Sequence, residues 1–133
     1  MDCLFCKIIA GEIPCHKVYE DEHVLAFLDI YPHAKGHTIV VPKVHHENIS
    51  EFNAIEWSNF SLGLYSAMHR VDAVLKPEGY NVGVNDRPAA GQVVGHVHWH
   101  IFPRWKNDGG GSMHTIIKSE EKIDIEEVAK LFA

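Results

Sequence analysis

The sequence predicts a single α+β domain: a mainly antiparallel sheet of about five strands, one long central helix and a C-terminal helix. Three observations lead there. The chain has 133 residues, the size of one domain with its own core. Five short segments have strand composition. One longer stretch repeats its apolar residues at three- and four-residue intervals, and strands grouped around such a helix favour α+β over alternating α/β.

Near the start, KIIAGEIP reads as a short helical turn ended by Gly11 and Pro14. HKVYE and HVLAFLDI read as strands turning at Glu20-Asp21, and HTIVVP as a buried strand closed by Pro42. Phe60, Leu64, Met68, Val71 and Leu75 then share one helical face. Lys76-Pro77-Glu78-Gly79 stops that helix, because proline cannot extend the ladder and glycine accepts a left-handed turn. YNVGVN and GHVHWHIFP supply two further strands joined by the loop DRPAAGQ. Residues 1–104 form the expected core. Residues 105–133 extend the same domain through a mobile loop at Gly109, Gly110 and Gly111 to a helix over Ile125–Phe132, announced by the capping-box spacing of Asp124 and Glu127.

Composition excludes several classes of function. No apolar run approaches the ~18 residues of a membrane span, and MDCLFCKIIAGEIP lacks the basic start and apolar core of a secretion signal. A net charge of −6 argues against a surface that coats nucleic acid, though not against a small nucleotide. Three cysteines, an odd count, suit a reducing cytoplasmic compartment better than a disulfide scaffold. Eleven histidines are the outlier and point to metal or phosphate chemistry.

Three of them stand in GHVHWHIFPR. On a strand, His96, His98 and His100 share one face about 6.5–7 Å apart, and Val97, Trp99 and Ile101 share the other. Packing explains the apolar set and asks nothing of the imidazoles. Two chemistries suit the row: two histidines converging on one zinc with a third ligand from elsewhere, or one histidine acting as a nucleophile. The preceding Ala89-Ala90-Gly91-Gln92 offers backbone N–H groups in the manner of an anion cradle, which favours phosphoryl chemistry. Cys3-Leu4-Phe5-Cys6 is compatible with a redox motif, a zinc half-site or chance.

Taken together, CLFCKIIAGEIP, AFLDI, GHTIVVPKVH, NVGVN and AGQVVGHVHWH resemble the histidine-triad (HIT) family in kind and in order, over roughly Cys3 to Arg104. The resemblance implies a HIT-like fold and a nucleotidyl hydrolase or transferase acting at the α-phosphate of a purine nucleoside phosphoramidate or dinucleoside polyphosphate. It implies His98 as the nucleophile that forms a nucleotidyl-histidine, and His100 as the group that contacts phosphate and assists the leaving group. It also implies phosphate contacts from Gly91 and Gln92, a contact near the scissile group from Asn85, and ribose contacts from Asp29. Leu4, Phe5, Ile8, Phe27 and Ile30 would line the base slot. Many relatives place Ser or Thr after Gly-Gln; here Val93 stands there, and one phosphate contact is missing or supplied elsewhere.

Zinc-containing members of the family further imply a structural zinc on Cys3, Cys6, His45 and His96, with His46 the neighbouring alternative to His45. No organic cofactor is implied. A homodimer is, built on the long helix and the strand near YNVGVN. Cys15, His16, His23, His33, His69 and His114 read as ordinary structural or surface residues. Two other functions fit the same residues: a non-enzymatic purine-nucleotide sensor, marked by binding without turnover, and a hydrolase whose triad itself holds a catalytic zinc.

Overall fold

The computed structural model describes residues 2–133. Helix α1 (Leu4–Ile9) precedes strands β1 (Lys17–Glu20), β2 (Val24–Leu28) and β3 (Thr38–Pro42). The long helix α2 (Ala54–Leu75) follows, then β4 (Gly79–Val84), β5 (Trp99–Arg104) and the terminal helix α3 (Ile125–Lys130). The sheet is antiparallel throughout, in the order β1-β2-β3-β5-β4, which leaves β1 and β4 as its edges. The expected α+β architecture is the observed one.

Alternation along β2 and β3 divides the core in two. Val24, Ala26 and Val40 face α2, and Phe60 and Ala67 of that helix with Ile101 of β5 complete one cluster. Leu25, Phe27, Ile39 and Val41 face the opposite way and are covered by Cys3 and Phe5 of the N-terminal segment. Because both faces are covered, β2 and β3 read as nearly continuous apolar runs. Asn53 caps α2 in a reciprocal box with Glu56. Of the predicted apolar stripe, Phe60 and Val71 are buried and Leu64, Met68 and Leu75 half-buried; Gly63 and Ala67 fill the closest approach to the sheet. The left-handed turn comes three residues before the glycine expected to make it: Lys76 itself takes that conformation, with φ 48° and ψ 54°, and Gly79 opens β4.

Two predicted strands and helices shift in a way that matters for the site. The first helix begins at Leu4 with Cys3 as its cap, so the C-x-x-C pair spans its first turn. Strand β5 begins only at Trp99. Before it, the His96 N–H turns back to the Val94 carbonyl (2.9 Å) and the Val97 N–H reaches the His46 carbonyl (2.8 Å), so this stretch pairs with no strand. Of the three histidines only His100 is on the strand. Beyond Trp105 every residue is exposed. Among the described residues, no helix is long and apolar enough to cross a membrane.

Candidate active site

The three imidazoles have three different environments. His96 and His98 are buried and His100 half-buried. They do not converge on one point, as a catalytic zinc held by the triad would require: His96 turns its Nδ1 toward Cys3, Cys6 and His45, while His98 turns its Nδ1 to the carbonyl of His96 (2.8 Å).

The hydrogen bonds fix the tautomers. A carbonyl only accepts, so His98 carries its proton on Nδ1 and keeps a free lone pair on Nε2. The His33 backbone N–H donates to His37 Nδ1 (3.2 Å), so neutral His37 carries its proton on Nε2 and donates it to His100 Nδ1 (2.9 Å). His100 therefore presents an N–H at Nε2. Its ring lies 5.2 Å from that of His98, centroid to centroid, with the rings edge to face. One ring offers a nucleophilic nitrogen and its neighbour offers a proton.

Burial keeps these rings neutral. It lowers the pKa of His98 against the opposing pull of its bond to the His96 carbonyl. Burial, with His98 and His37 adding to it, takes His100 down to about 4. His37 is lowered for the same leading reason, only partly offset by Asp29, whose Oδ2 lies 3.6 Å from its Nε2. Asp29, His37 and His100 bring three possible ligand atoms together. A metal there would need the Nε2 lone pair of His37 and hence a proton on Nδ1, facing the His33 N–H. The cluster is better described as a proton-ordering network than as a metal site.

A cavity of about 910 Å³ opens on this network. Asp29, His37, Asn85, His100 and Phe102 line one end, and Met113 and Ile116 of the extension form a wall. Met113 lies over Gly83, 3.5 Å from where a Cβ would stand, and Gly83 is the register partner of His100.

The loop before the histidines is tightly built. Gln92 Oε1 accepts the Arg87 N–H (2.6 Å), and its Nε2 donates to the carbonyls of Glu47 (2.8 Å) and Val94 (3.0 Å). The Gly91 and Gln92 N–H groups close the turn onto Pro88 and Arg87. Arg87 holds φ 76° and ψ 156°, a conformation that side chains rarely adopt and that tends to occur near functional sites. Among the described residues, the N–H groups of Val93, Val94 and Gly95 donate to no protein acceptor. Of the five residues expected at the base slot, Phe5 and Phe27 are buried together (rings 5.9 Å apart), Ile8 is half-buried, and Leu4 and Ile30 are 46% and 72% exposed. Phe5 sets its ring 4.9 Å from that of His98.

The sequence profile of the HIT domain matches residues 10–107. The chain belongs to the HIT family. Among HIT relatives it is 49% identical to an uncharacterized HIT-like protein of Methanocaldococcus jannaschii, over 96% of each chain. It is 40% identical to an adenosine 5'-monophosphoramidase of Schizosaccharomyces pombe, over 83% of this chain and 80% of that one. An adenylylsulfatase of Arabidopsis thaliana is 37% identical over 94% of this chain and 64% of its own length. A crystal structure of a HIT-family member from Bacillus subtilis superposes with a TM-score of 0.83 at 41% identity, covering 99% of this chain and 95% of that one. With these relatives, the chain is a HIT-family nucleotide hydrolase.

The HIT fold also gathers a second donor set. Sγ of Cys3 and Cys6 and Nδ1 of His45 and His96 lie within 4.8 Å of one another. Individual separations are 3.1 Å between the two nitrogens and 3.3–3.6 Å from sulfur to nitrogen. A tetrahedral zinc with two thiolates and two imidazoles spaces its ligands about 3.3–3.8 Å apart; the sulfur–nitrogen separations fall in that range and the nitrogens need only part slightly, so the donor set fits such an ion. The His96 Nε2–H is donated to the Pro42 carbonyl (2.9 Å), which frees Nδ1 for ligation. His46 is turned away to Glu56 (3.1 Å), so the neighbouring alternative is not the residue in the cluster.

Sequence reasoning missed His37. It stands in GHTIVVP, where strand composition absorbed it, yet it is only 2% exposed, a rare burial for a polar ring. Its eight-residue separation from Asp29 across the β2–β3 turn was the one available signal.

Proposed function

We propose that the chain cleaves purine nucleoside phosphoramidates or dinucleoside polyphosphates at the α-phosphate through a covalent intermediate on His98, releasing a nucleoside monophosphate. The observation that carries this reading is the tautomer pair: a neutral His98 with its Nε2 lone pair free, beside a His100 whose Nε2 bears a proton. The Nε2 lone pair forms a bond to phosphorus as the bond to the leaving nitrogen or oxygen breaks; the neutral His100 donates a hydrogen bond from its Nε2–H to that atom as charge grows on it, and a leaving nitrogen takes its proton from solvent. Positive charge on the phosphorylated ring is met by the His96 carbonyl, which still accepts the Nδ1–H. Water then attacks phosphorus, releases a proton to solvent as the phosphorus–nitrogen bond breaks, and frees His98.

Asp29 is assigned to the ribose hydroxyls and Asn85 to the scissile group, in keeping with their place on the cavity. Phe5 and Phe27 supply the floor of the base slot, and Ile8 and Ile30 its rim. For the phosphate, the unpaired N–H groups of Val93 to Gly95 stand in for the hydroxyl that Val93 lacks; Gly91 and Gln92 hold the loop that presents them. The adenylyl half shared by the names of the yeast and plant relatives, with different leaving groups, supports an adenine nucleotide.

Cys3, Cys6, His45 and His96 would hold a structural zinc, which ties the N-terminal segment to the residues before β5. A reducing cytoplasm suits thiolate ligands and the three free cysteines. The free edge of β4 and the exposed Ile55, Leu62 and Tyr65 on α2 support a homodimer across that face. Residues 105–133 belong to the same domain as an extension. Turnover of a fluorogenic adenosine phosphoramidate tests the assignment: His98→Asn should fold normally and lose turnover, and unimpaired turnover would end it.

A further inference from the structure

We propose that the metal centre on Cys3, Cys6, His45 and His96 also sets the tautomer and aim of His98, making His96 a positioning residue for the nucleophile. This rests on the assignment of His98 above. A single residue carries the connection. His96 points Nδ1 into the donor set, gives its Nε2–H to the Pro42 carbonyl, and offers its own carbonyl to the His98 Nδ1–H. With the ring held at both nitrogens, its backbone carbonyl has little freedom to leave His98.

The local backbone makes this hold necessary. Residues 94–98 precede β5 and take no part in its ladders with β3 and β4. Their main-chain anchors are a turn from His96 N–H to Val94 and one bond from Val97 N–H to the carbonyl of His46, the residue after ligand His45. A zinc ion would join the same two segments a second time, through His45 and His96. In its absence two thiols and two imidazoles without an ion are left facing one another, and the segments are joined only by neutral hydrogen bonds: Val97 N–H to His46, His96 Nε2–H to Pro42, and Gln92 between the Glu47 and Val94 carbonyls. If the His96 carbonyl drifts, His98 is free to move its proton to Nε2, and the lone pair that attacks phosphorus is lost. Tautomer choice in imidazole follows the partner of the other nitrogen.

Ring-nitrogen NMR on histidine-labelled protein at fixed pH tests this, with zinc, after chelation, and with cadmium in place of zinc. The zinc form should show His98 as a single Nδ1–H tautomer. Chelation should average the two His98 nitrogens while the His37–His100 pair keeps its own signals, and kcat should fall about 10- to 100-fold with KM less affected. Cadmium, with longer bonds to the same ligands, should shift the His98 Nδ1–H signal and leave that of His37 Nε2–H in place; this arm decides if the chelated protein unfolds. The inference is overturned if the protein binds no zinc, or if the His98 signals ignore both treatments. A nucleotidyl adduct that still maps to His98 in the zinc form would then leave the assignment of the nucleophile standing; absence of that adduct would remove the assignment itself.

Discussion

Replacing His37 by phenylalanine removes the hydrogen bond that orders the His100 ring. The ring is 2% exposed and packs 4.2 Å, centroid to centroid, from Phe102, so a phenyl group of similar size keeps the packing. What disappears is the Nε2–H donated to His100 Nδ1 at 2.9 Å, together with the acceptor of the His33 N–H at 3.2 Å, which lies nearer the surface. An acceptor left unpaired in a largely buried place costs about 1–3 kcal/mol, and urea unfolding should show a loss in that range. The catalytic consequence is larger. Without a donor at Nδ1, His100 can hold its proton there and present a bare Nε2 to the leaving group. Loss of one hydrogen-bond donor aimed at developing charge costs about 10²–10³-fold, and partial loss of the correct tautomer should lower kcat about 10- to 100-fold. His37→Gln carries an amide N–H of similar reach and should recover most of that deficit. Steady-state turnover of an adenosine phosphoramidate by the three proteins reads the effect directly. A folded His37→Phe enzyme with wild-type kcat, or a glutamine variant no better than phenylalanine, would refute the reasoning.

Three further outcomes follow from named contacts. His45→Gln should lose bound zinc whereas His46→Gln keeps it, as the zinc-to-protein ratio will report, because only His45 Nδ1 stands with Cys6 and His96. Gly63→Ala should lose about 1–2 kcal/mol in urea unfolding: its Cβ would stand 2.5 Å from both methyls of buried Val24, and the overpacking outweighs the better helix propensity of alanine. Lys17, and then Lys43, bring the Glu20 carboxyl down to about 2. A depressed carboxyl stabilises the fold above its ordinary value of 4.5 and loses that contribution as pH falls toward 2. With Glu20 a third exposed and Lys17 more than half exposed, solvent screening reduces it to about 1 kcal/mol or less, so Glu20→Gln should trail wild type by no more than that at pH 7 and match it near pH 2.

Much of this protein was legible in its sequence because its signals are local. Apolar runs marked β2 and β3, three- and four-residue spacing marked α2, and the Lys76–Gly79 stop closed it within a few residues, while its Asn53 cap went unread. The metal ligands were legible only by resemblance, since Cys6 and His45 are 39 residues apart and meet through folding. What spacing could not carry was the start of β5. Strict alternation from His96 to Ile101 reads as one strand, but Val97 spends its N–H on His46, and the ladder waits until Trp99. His37 was hidden for a related reason: a polar residue at the mouth of a buried strand looks incidental until its partners, His33, His100 and Asp29, are brought from three other places in the chain.

The most direct test of the central claim is mass spectrometry of the protein quenched after brief mixing with a slow adenosine phosphoramidate. The account predicts an adenylyl group on a peptide containing residues 96–100, mapped to His98 and absent from His98→Asn. Full turnover with no such adduct, or an adduct carried by another residue, would contradict it.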